Sequence, residues 1–386
     1  MIWLIVVSLV YGILVSLDPI LFVFIGYTLN VSGIYLGMLG AIWSIVYITA
    51  SKLLNRVADE GNNRLLILLS LLCLPLSYIG IVLVNNLTAI LSYTLHAIAT
   101  ASMNIAISVT MLENTDSELW SNASVLQKSI SNFSRGFTLL LLSRNILSIH
   151  SIFWLSFLST VASLLLLPSI SLPFERRFYK LSRDINEIGM YIKASSSVLF
   201  LDKPAVARYV FSTSWNTRST VSLYRVLIAI ATATALGDYI FTVLPLILKS
   251  YVTLTSMWMA YGIAALFSSF IVLLFRNLSI GRRSLAIFIA VARTCLLVFG
   301  LAMVRDLVTL ATYIIFSSLL YMLVDVVLYN IFIEGSAGFS TANYFTCREI
   351  GSIIGSIVGG VMIGLRGDAF LIVAGAIGFA TVLVLI

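Results

Sequence analysis

An all-helical membrane fold made of two similar halves is predicted by three features of this 386-residue sequence. Hydrophobic residues make up 60% of the chain and charged residues only 10%, against roughly 25% charged residues in soluble domains. The apolar residues form runs of about 20 residues, the length with which an α-helix crosses a bilayer. Single charged residues recur inside these runs at matching places in the two halves. These features exclude an ordinary water-soluble enzyme or binding module.

Twelve membrane-spanning helices are predicted from the apolar runs. Lipid offers no partners for free backbone groups, so each run has to be helical, and the strict alternation of barrel strands is missing. The first run lacks a basic start and a small-residue cleavage site, so we expect it to remain as a membrane span. The predicted helices are 3–28, 33–54, 65–84, 87–112, 119–142, 147–167, 224–248, 254–275, 284–304, 307–333, 339–364 and 368–386.

The spans are interrupted once, between residues 173 and 222. This segment mixes charged residues, serine and short amphipathic stretches, which is typical of a cytoplasmic linker along the membrane surface. The sequence therefore predicts a six-helix bundle at 1–172, a linker at 173–222 and a second six-helix bundle at 223–386. Because both halves begin on the same side, we expect a parallel repeat.

Basic residues are concentrated in the loops that share a side with the N-terminus. The positive-inside rule then places both termini in the cytoplasm of a multi-pass protein of the plasma membrane. The net charge of +7 is explained by loops that face an anionic lipid leaflet, so no nucleic-acid partner is expected.

Neither a metal nor a cofactor is expected from the cysteine and histidine residues. Cys73, Cys295 and Cys347 form no CxxC pair, and His96 and His150 lack the spacing of metal ligands. Structural packing is the better interpretation of all five. The sequence also lacks a Walker motif, so we expect no ATP hydrolysis by the chain itself.

Ionisable residues inside the predicted helices mark the candidate functional site, because a charge at bilayer depth is costly and usually faces a cavity. Asp18 and Asp238 each lie alone near the middle of the first and seventh helices, and the same offset relates Lys128 to Arg348. A carboxylate in low-dielectric surroundings can bind and release a proton. Alternatively, the charges neutralise one another and only set the helix register.

The candidate residues fall into three groups. The candidate proton-coupling residues are Asp18, Asp238 and Glu349, and the candidate substrate or counter-ion residues are Lys128, Arg135 and Arg348. Arg293 on the ninth helix and Asp325 on the tenth have nearly the same predicted depth, so we predict a structural buried pair between them.

The loop after the second helix resembles a known motif. It reads Asn55-Arg-Val-Ala-Asp-Glu-Gly-Asn-Asn-Arg64, and it is similar to the G-x-L-A-D-R-x-G-R-K/R loop of the major facilitator superfamily. Ala58, Asp59 and Arg64 match this motif in place, whereas asparagines replace both family glycines. The related loop of the second half keeps Gly-Arg-Arg at 281–283 and lacks the acidic residue.

This resemblance implies a carrier that works by alternating access, with helices 1, 4, 7 and 10 bordering its cavity. It also implies a gate of charged side chains at the cytoplasmic side, although the same residues can be ordinary membrane-surface charges of little energetic weight. The candidate gate residues are Asp59, Arg64, Glu113, Arg282, Arg283 and Glu334.

Small residues recur along the eleventh helix at Gly351, Gly355, Gly359 and Gly360. Such spacing lets helices approach closely. It is also similar to the antiporter signature G-x-x-x-G-P-x-x-G-G, with Ser356 in place of proline, but antiporters carry that signature on helix 5. Helix packing is the better interpretation, and the remaining similarity favours efflux over uptake.

The sequence thus predicts a monomeric, proton-coupled secondary carrier for a small organic solute. Its expected partners are that solute, protons and the lipid bilayer. Two alternatives stay open, a flippase for lipid-linked saccharides and a membrane-embedded enzyme. The enzyme is disfavoured because no HExxH or GxSxG motif is present.

Overall fold

The computed structural model describes residues 2–29, 31–59, 62–83, 85–114, 120–168, 222–274, 283–336, 341–364 and 367–386. These residues form helices and no strands, which confirms the all-helical prediction. The helical spans are α1 (Ile2–Thr28), α2 (Gly33–Asp59), α3 (Asn63–Leu83), α4 (Asn86–Asn114), α5 (Trp120–Ser143), α6 (Ile149–Leu166), α7 (Leu223–Leu248), α8 (Leu254–Leu274), α9 (Arg283–Met303), α10 (Leu307–Ser336), α11 (Thr341–Met362) and α12 (Gly367–Leu385). The predicted linker at 173–222 lies outside the described residues apart from its last position.

Ten helices in the described part of the chain are long and apolar enough to cross a membrane. Of the other two, α3 has a shorter apolar part (Asn63–Tyr78), and α5 carries many polar side chains. Helix α5 packs between α1 and α8, where protein groups satisfy those side chains. Ser134 donates to the carbonyl oxygen of Leu9 at 2.7 Å, and Ser129 donates to that of Ser269 at 2.8 Å. The polar character of α5 therefore suits a helix enclosed by other helices.

Helix α7 is broken near its end. It consists of Leu223–Phe241, a short turn, and the one-turn helix Leu244–Leu248. Pro245 has no backbone N–H, so it cannot donate to the carbonyl of Phe241 four residues earlier, and the helical ladder is interrupted there. The break follows Asp238 by one turn.

The two halves repeat the same packing. In the first half α1 packs against α4, α5 and α6, α2 packs against α4, and α3 packs against α4 and α6. Each contact recurs six helices later, since α7 packs against α10, α11 and α12, α8 against α10, and α9 against α10 and α12. Between the halves, α2 packs along α11 and α5 along α8, and these two contacts exchange when the halves are swapped. The predicted parallel repeat is therefore confirmed.

The halves are joined at the end of the bundle where α1 ends and α2 begins. Tyr27 at the end of α1 donates to the carbonyl oxygen of Val252 at 2.9 Å, and Gly26 lies against Pro245. At the opposite end, α4 and α10 make no comparable packing contact within the described residues. The space between the halves is thus closed at the α1–α2 end.

Candidate functional site

A cavity of about 300 Å³ lies between the two halves. Helices α1, α2, α4 and α5 line it from the first half, and α7, α8 and α11 line it from the second. Asp18, Arg135 and Asp238 all face this space. The fold thus brings three of the candidate residues together, although they are far apart in the sequence.

Asp18 is held by its own half of the molecule. The hydroxyl of Tyr93 on α4 donates to Asp18 Oδ1 at 2.5 Å. One turn along the same two helices, His96 Nε2 lies 3.0 Å from the carbonyl oxygen of Leu14. Two successive polar contacts therefore fasten α4 to the turn of α1 that carries the carboxylate.

Two buried donors of the cavity wall have no hydrogen-bond partner among the described residues. They are Arg135 Nε on α5 and Trp43 Nε1 on α2. A buried donor without a partner is costly, so such groups usually have an acceptor in the functional state. Both donors are suited to a carboxylate or another acceptor-rich group.

Phe22, Trp43 and Tyr93 give the wall of the first half an aromatic surface, and Tyr47 supports it from behind. The Phe22 and Tyr93 rings lie 5.8 Å apart, and Trp43 stacks on Tyr47 with centroids 5.1 Å apart. Asn104 on α4 donates to the Tyr47 hydroxyl at 3.0 Å and fixes its direction. This surface suits the apolar part of a ligand.

Asp238 lies where the halves meet. It interacts with the hydroxyl of Ser352 on α11, and Ser352 Oγ lies 2.9 Å from Ser44 Oγ on α2. The second half therefore presents its carboxylate beside a direct hydrogen bond between the halves.

Arg293 is buried in the second half, with only 3% of the residue exposed. Its Nη1 donates to the carbonyl oxygen of Ala233 at 2.5 Å, and its guanidinium lies over the Tyr321 ring, 4.7 Å from the centroid. It also contacts Gly237, the residue before Asp238. Helix α9 thus directs this arginine into the core between α7 and α10.

The predicted direct pair between Arg293 and Asp325 is not formed in this structure. The carboxylate of Asp325 instead accepts a hydrogen bond from the Tyr344 hydroxyl at 2.9 Å. Backbone and aromatic groups solvate the arginine, so equal depth on neighbouring helices was not enough to predict a contact.

The remaining predicted membrane charges do not line the cavity. Arg348 Nη2 and Glu349 Oε1 are 3.0 Å apart and form an ion pair with each other. Lys128 is exposed on α5. The matching offset of Lys128 and Arg348 therefore does not give the two residues matching surroundings.

Most of the candidate gate falls outside the described residues. This holds for Arg282 and for the side chains of Asp59, Glu113 and Glu334. Arg64 is exposed, and Arg283 donates from Nε to the carbonyl oxygen of Leu385 in its own half. The gate stays a prediction.

The small residues of α11 form two packing faces. Gly351, Gly355 and Gly359 lie against backbone atoms of α7, where any Cβ atom would collide. Ser356 and Gly360 lie against the glycines of α2 in the other half. Close packing accounts for the whole pattern, so it gives no information about the direction of transport.

Several cavity groups were not identified from the sequence. Tyr93, Ser44 and Ser352 are ordinary polar residues in apolar runs, and nothing in their local pattern indicates a site. His96 was interpreted as packing, yet it lies next to the Asp18 turn. Its spacing of three residues from Tyr93 was the one signal that could have linked them.

The fold and the cavity define a class of protein, a helical membrane protein of two bundles with a cavity between them. The family model described as Major Facilitator Superfamily matches residues 3–356. The chain belongs to this superfamily. No curated protein matches the sequence.

Several solved structures share this fold. One, described as a bacterial homologue of the human drug peptide transporters, is similar with a TM-score of 0.67 at 13% identity, covering 100% of this chain and 95% of the other. A structure from a study of proton dependent oligopeptide transporters gives a TM-score of 0.65 at 12% identity, with 99% and 95% covered. The peptide transporter POT in complex with sulfate gives 0.62 at 13% identity, with 100% and 92% covered. Likeness at such low identity establishes the fold alone.

Proposed function

We propose that this secondary transporter couples the movement of protons to that of a small organic solute that carries an acceptor-rich group. The observation that carries the proposal is the meeting of Asp18, Asp238 and Arg135 in one cavity between the halves. Rocking of one bundle against the other would expose this cavity to each side in turn.

Asp238 is proposed as the coupling carboxylate. Its neighbour Ser352 is hydrogen-bonded to Ser44 of the other half, so gain or loss of a charge at Asp238 acts on a contact between the halves. A bound proton can only shift a conformational equilibrium if the two states bind it differently. A carboxylate that is linked to both halves meets that condition better than Asp18, whose hydrogen bond to Tyr93 stays within one half.

Arg135 and Trp43 are proposed to bind the solute. Their two unpartnered donors support a solute with a carboxylate or similar group, and the aromatic wall supports an apolar portion. The cavity volume lies at the lower end of the usual range for ligand sites, which indicates a compact molecule. Short peptides, named by the transporters of similar fold, contain such a carboxylate and belong among the compounds to be tested.

The orientation in the membrane and the roles of Arg348 and Glu349 are part of the proposal. Cytoplasmic termini are supported by the distribution of basic loops, which also makes the closed α1–α2 end the outer side. Arg348 is retained as a counter-ion near Asp238, and Glu349 is retained as a second candidate proton-coupling carboxylate, since both act on Asp238 electrostatically. The direction of transport is left to the flux measurement.

The solute site is tested by a thermal-shift screen of small carboxylates, including short peptides, against the purified full-length protein. For a hit, Trp43→Phe keeps the ring and removes the donor. We expect it to weaken binding about tenfold or more, because a hydrogen bond to a charged group contributes about 1.5–3 kcal/mol.

Trp258→Phe is the matched control for this test. Trp258 Nε1 is also buried without a partner in the described part of the chain, but it does not line the cavity. Equal losses of binding in both tryptophan variants would contradict the proposed site. Tight binding of lipid-linked saccharides with no response to soluble carboxylates would favour the flippase instead.

A further inference from the structure

His96 is a fully buried titratable side chain to which the proposed coupling gives no task. Its Nε2 atom lies 3.0 Å from the Leu14 carbonyl oxygen and 3.4 Å from Thr100 Oγ1. A carbonyl oxygen can only accept, so Nε2 carries the hydrogen of the neutral ring. The lone pair is therefore on Nδ1.

His96 Nδ1 is buried and has no hydrogen-bond partner among the described residues. The contact between His96 and α1 needs only Nε2, so this contact does not explain why Nδ1 is a buried acceptor. A buried acceptor without a partner is rare, and this one belongs to a group that can bind a proton.

Asp18 lies four residues, about 6 Å along the axis of α1, from Leu14, whose carbonyl oxygen contacts this ring. The contacts Asp18–Tyr93 and Leu14–His96 are successive steps between the antiparallel helices α1 and α4. At such a separation, an ionised carboxylate favours the protonated form of an imidazole.

The other charged groups around His96 are few. Burial opposes a positive charge on His96 most strongly, and Arg135, which approaches from α5, opposes it as well. Helices α2 and α3 carry their charged residues only towards one end, at Lys52, Arg56, Asp59 and Arg64. Asp18 is thus the group of opposite charge that faces His96.

We propose that Asp18 and His96 share one proton within the first half of the carrier. In one state the Asp18 carboxyl holds it and His96 is neutral. In the other, the O–H bond of Asp18 is broken, an N–H bond forms at His96 Nδ1, and a carboxylate faces an imidazolium. The net charge is the same in both states, so the proton is retained inside the membrane without an unpaired charge.

This inference deepens the proposed coupling, but it is tested without transport. The full-length protein is labelled with ¹⁵N-histidine and studied by solid-state NMR in phosphatidylcholine nanodiscs over a range of pH. The chain has only two histidines, so His150→Gln assigns both sets of signals. We expect His96 to be the neutral Nε2–H form at high pH and to gain an imidazolium signal as the pH falls.

Asp18→Asn decides between the proton-sharing role and a packing role. The variant keeps an acceptor for Tyr93 and removes the charge, so the His96 imidazolium signal should disappear or move to lower pH by about one unit or more. Asp18→Ser repeats the test in case the first variant does not fold. Thr100→Val removes only a neutral hydroxyl near His96 Nε2, so it should change the titration of His96 far less than Asp18→Asn does.

The proposal is overturned if His96 stays neutral in the folded wild type, or if it becomes protonated at the same pH with and without Asp18. An Asp18-dependent titration in a protein that moves no protons with solute would leave this inference standing and refute the proposed coupling. The two failures are therefore distinguishable.

Discussion

Asp18 and Asp238 occupy matching places in the two halves, but their surroundings differ. Asp18 accepts a hydrogen bond from Tyr93 of its own bundle. Asp238 lies beside Ser352, which is hydrogen-bonded to Ser44 of the opposite bundle. Duplication of a bundle thus conserves the packing of the helices, whereas each half has its own set of polar side chains.

The nearby arginines differ in the same way. Arg135 of the first half lines the cavity, with its Nε unpartnered within the described residues. Arg293 of the second half is enclosed by Ala233 and Tyr321 behind the cavity wall. The first half therefore presents its cation to the cavity, whereas the second half buries its cation in the core.

Glycine packing is the feature that the halves share most closely, and its disruption should have the largest effect. Gly12 of α1 lies against the backbone of α5, and Gly355 of α11 lies against that of α7 in the equivalent contact. Leucine at either position would force the helices apart, so we expect loss of folded protein in fluorescence-detected size-exclusion chromatography.

Gly375→Ala is the control, because no neighbouring atom would meet the added Cβ atom. This variant should be neutral or stabilised by up to about 1 kcal/mol. Normal folding of Gly12→Leu with loss of Gly355→Leu would show that the two contacts are not equivalent.

Substitution of each arginine in turn should have different effects, with Arg293 important for stability and Arg135 for solute binding. Arg293→Met removes the charged hydrogen bond to Ala233 and the contact with the Tyr321 ring from the core, so the free energy of unfolding should fall by about 1.5–3 kcal/mol. Arg135→Met should lower solute binding and change thermal stability far less. Thermal denaturation and a binding assay on the same samples measure both effects.

A double variant refines this second test. Because Arg293 contacts Ala233 and Tyr321 without touching the Asp325 carboxylate, adding Asp325→Asn should not restore the stability of Arg293→Met. Full recovery in the double variant would mean that the arginine and Asp325 depend on each other directly, as the sequence alone suggested.

A smaller effect is expected from the hydrogen bond between the halves. Ser44→Ala removes this bond at a cost of about 1 kcal/mol, and Ser352→Ala removes it together with the hydrogen bond to Asp238. The double variant should therefore cost no more than Ser352→Ala alone. Tyr93→Phe, which changes a contact within one half, should add to either serine variant. A double-mutant cycle on the solute transport rate checks both statements, and additive serine variants would argue against a shared bond.

The helix caps give the smallest predicted effect. Asn85 caps α4 by accepting from Thr88 N at 2.9 Å, and Asp306 caps α10 by accepting from Thr309 N at 2.8 Å. These hydrogen bonds from Thr309 hold the pKa of Asp306 below its ordinary value. The contribution of ionised Asp306 to the stability of this cap is therefore complete above the ordinary aspartate pKa of about 3.9. It is lost as the pH falls through the lower pKa of the folded state.

Hydrogen exchange of the first turn of each helix measures this difference. Acidification should loosen α10 and leave α4 unchanged, and Asp306→Asn should abolish the response of α10. A pH response of α10 that persists in Asp306→Asn would assign it to another group.

The helices and the repeat could be predicted from the sequence, because hydropathy and length decide membrane spans without reference to tertiary contacts. Asp18 and Asp238 could also be selected, since an isolated carboxylate in an apolar run is conspicuous. Tyr93, Ser44 and Ser352 could not, because hydroxyl residues are common in membrane helices. The partner of Arg293 depended on helix rotation, which depth along the axis does not determine.

The most direct test of the unequal aspartates is proton movement with solute in proteoliposomes that contain Asp238→Asn or Asp18→Asn protein. For Asp238→Asn we predict solute exchange without proton movement, and a fall in gradient-driven uptake of about 5- to 150-fold, the range of typical coupling free energies. Asp18→Asn should retain proton movement at a shifted pH. Wild-type proton movement and uptake in Asp238→Asn would contradict the account.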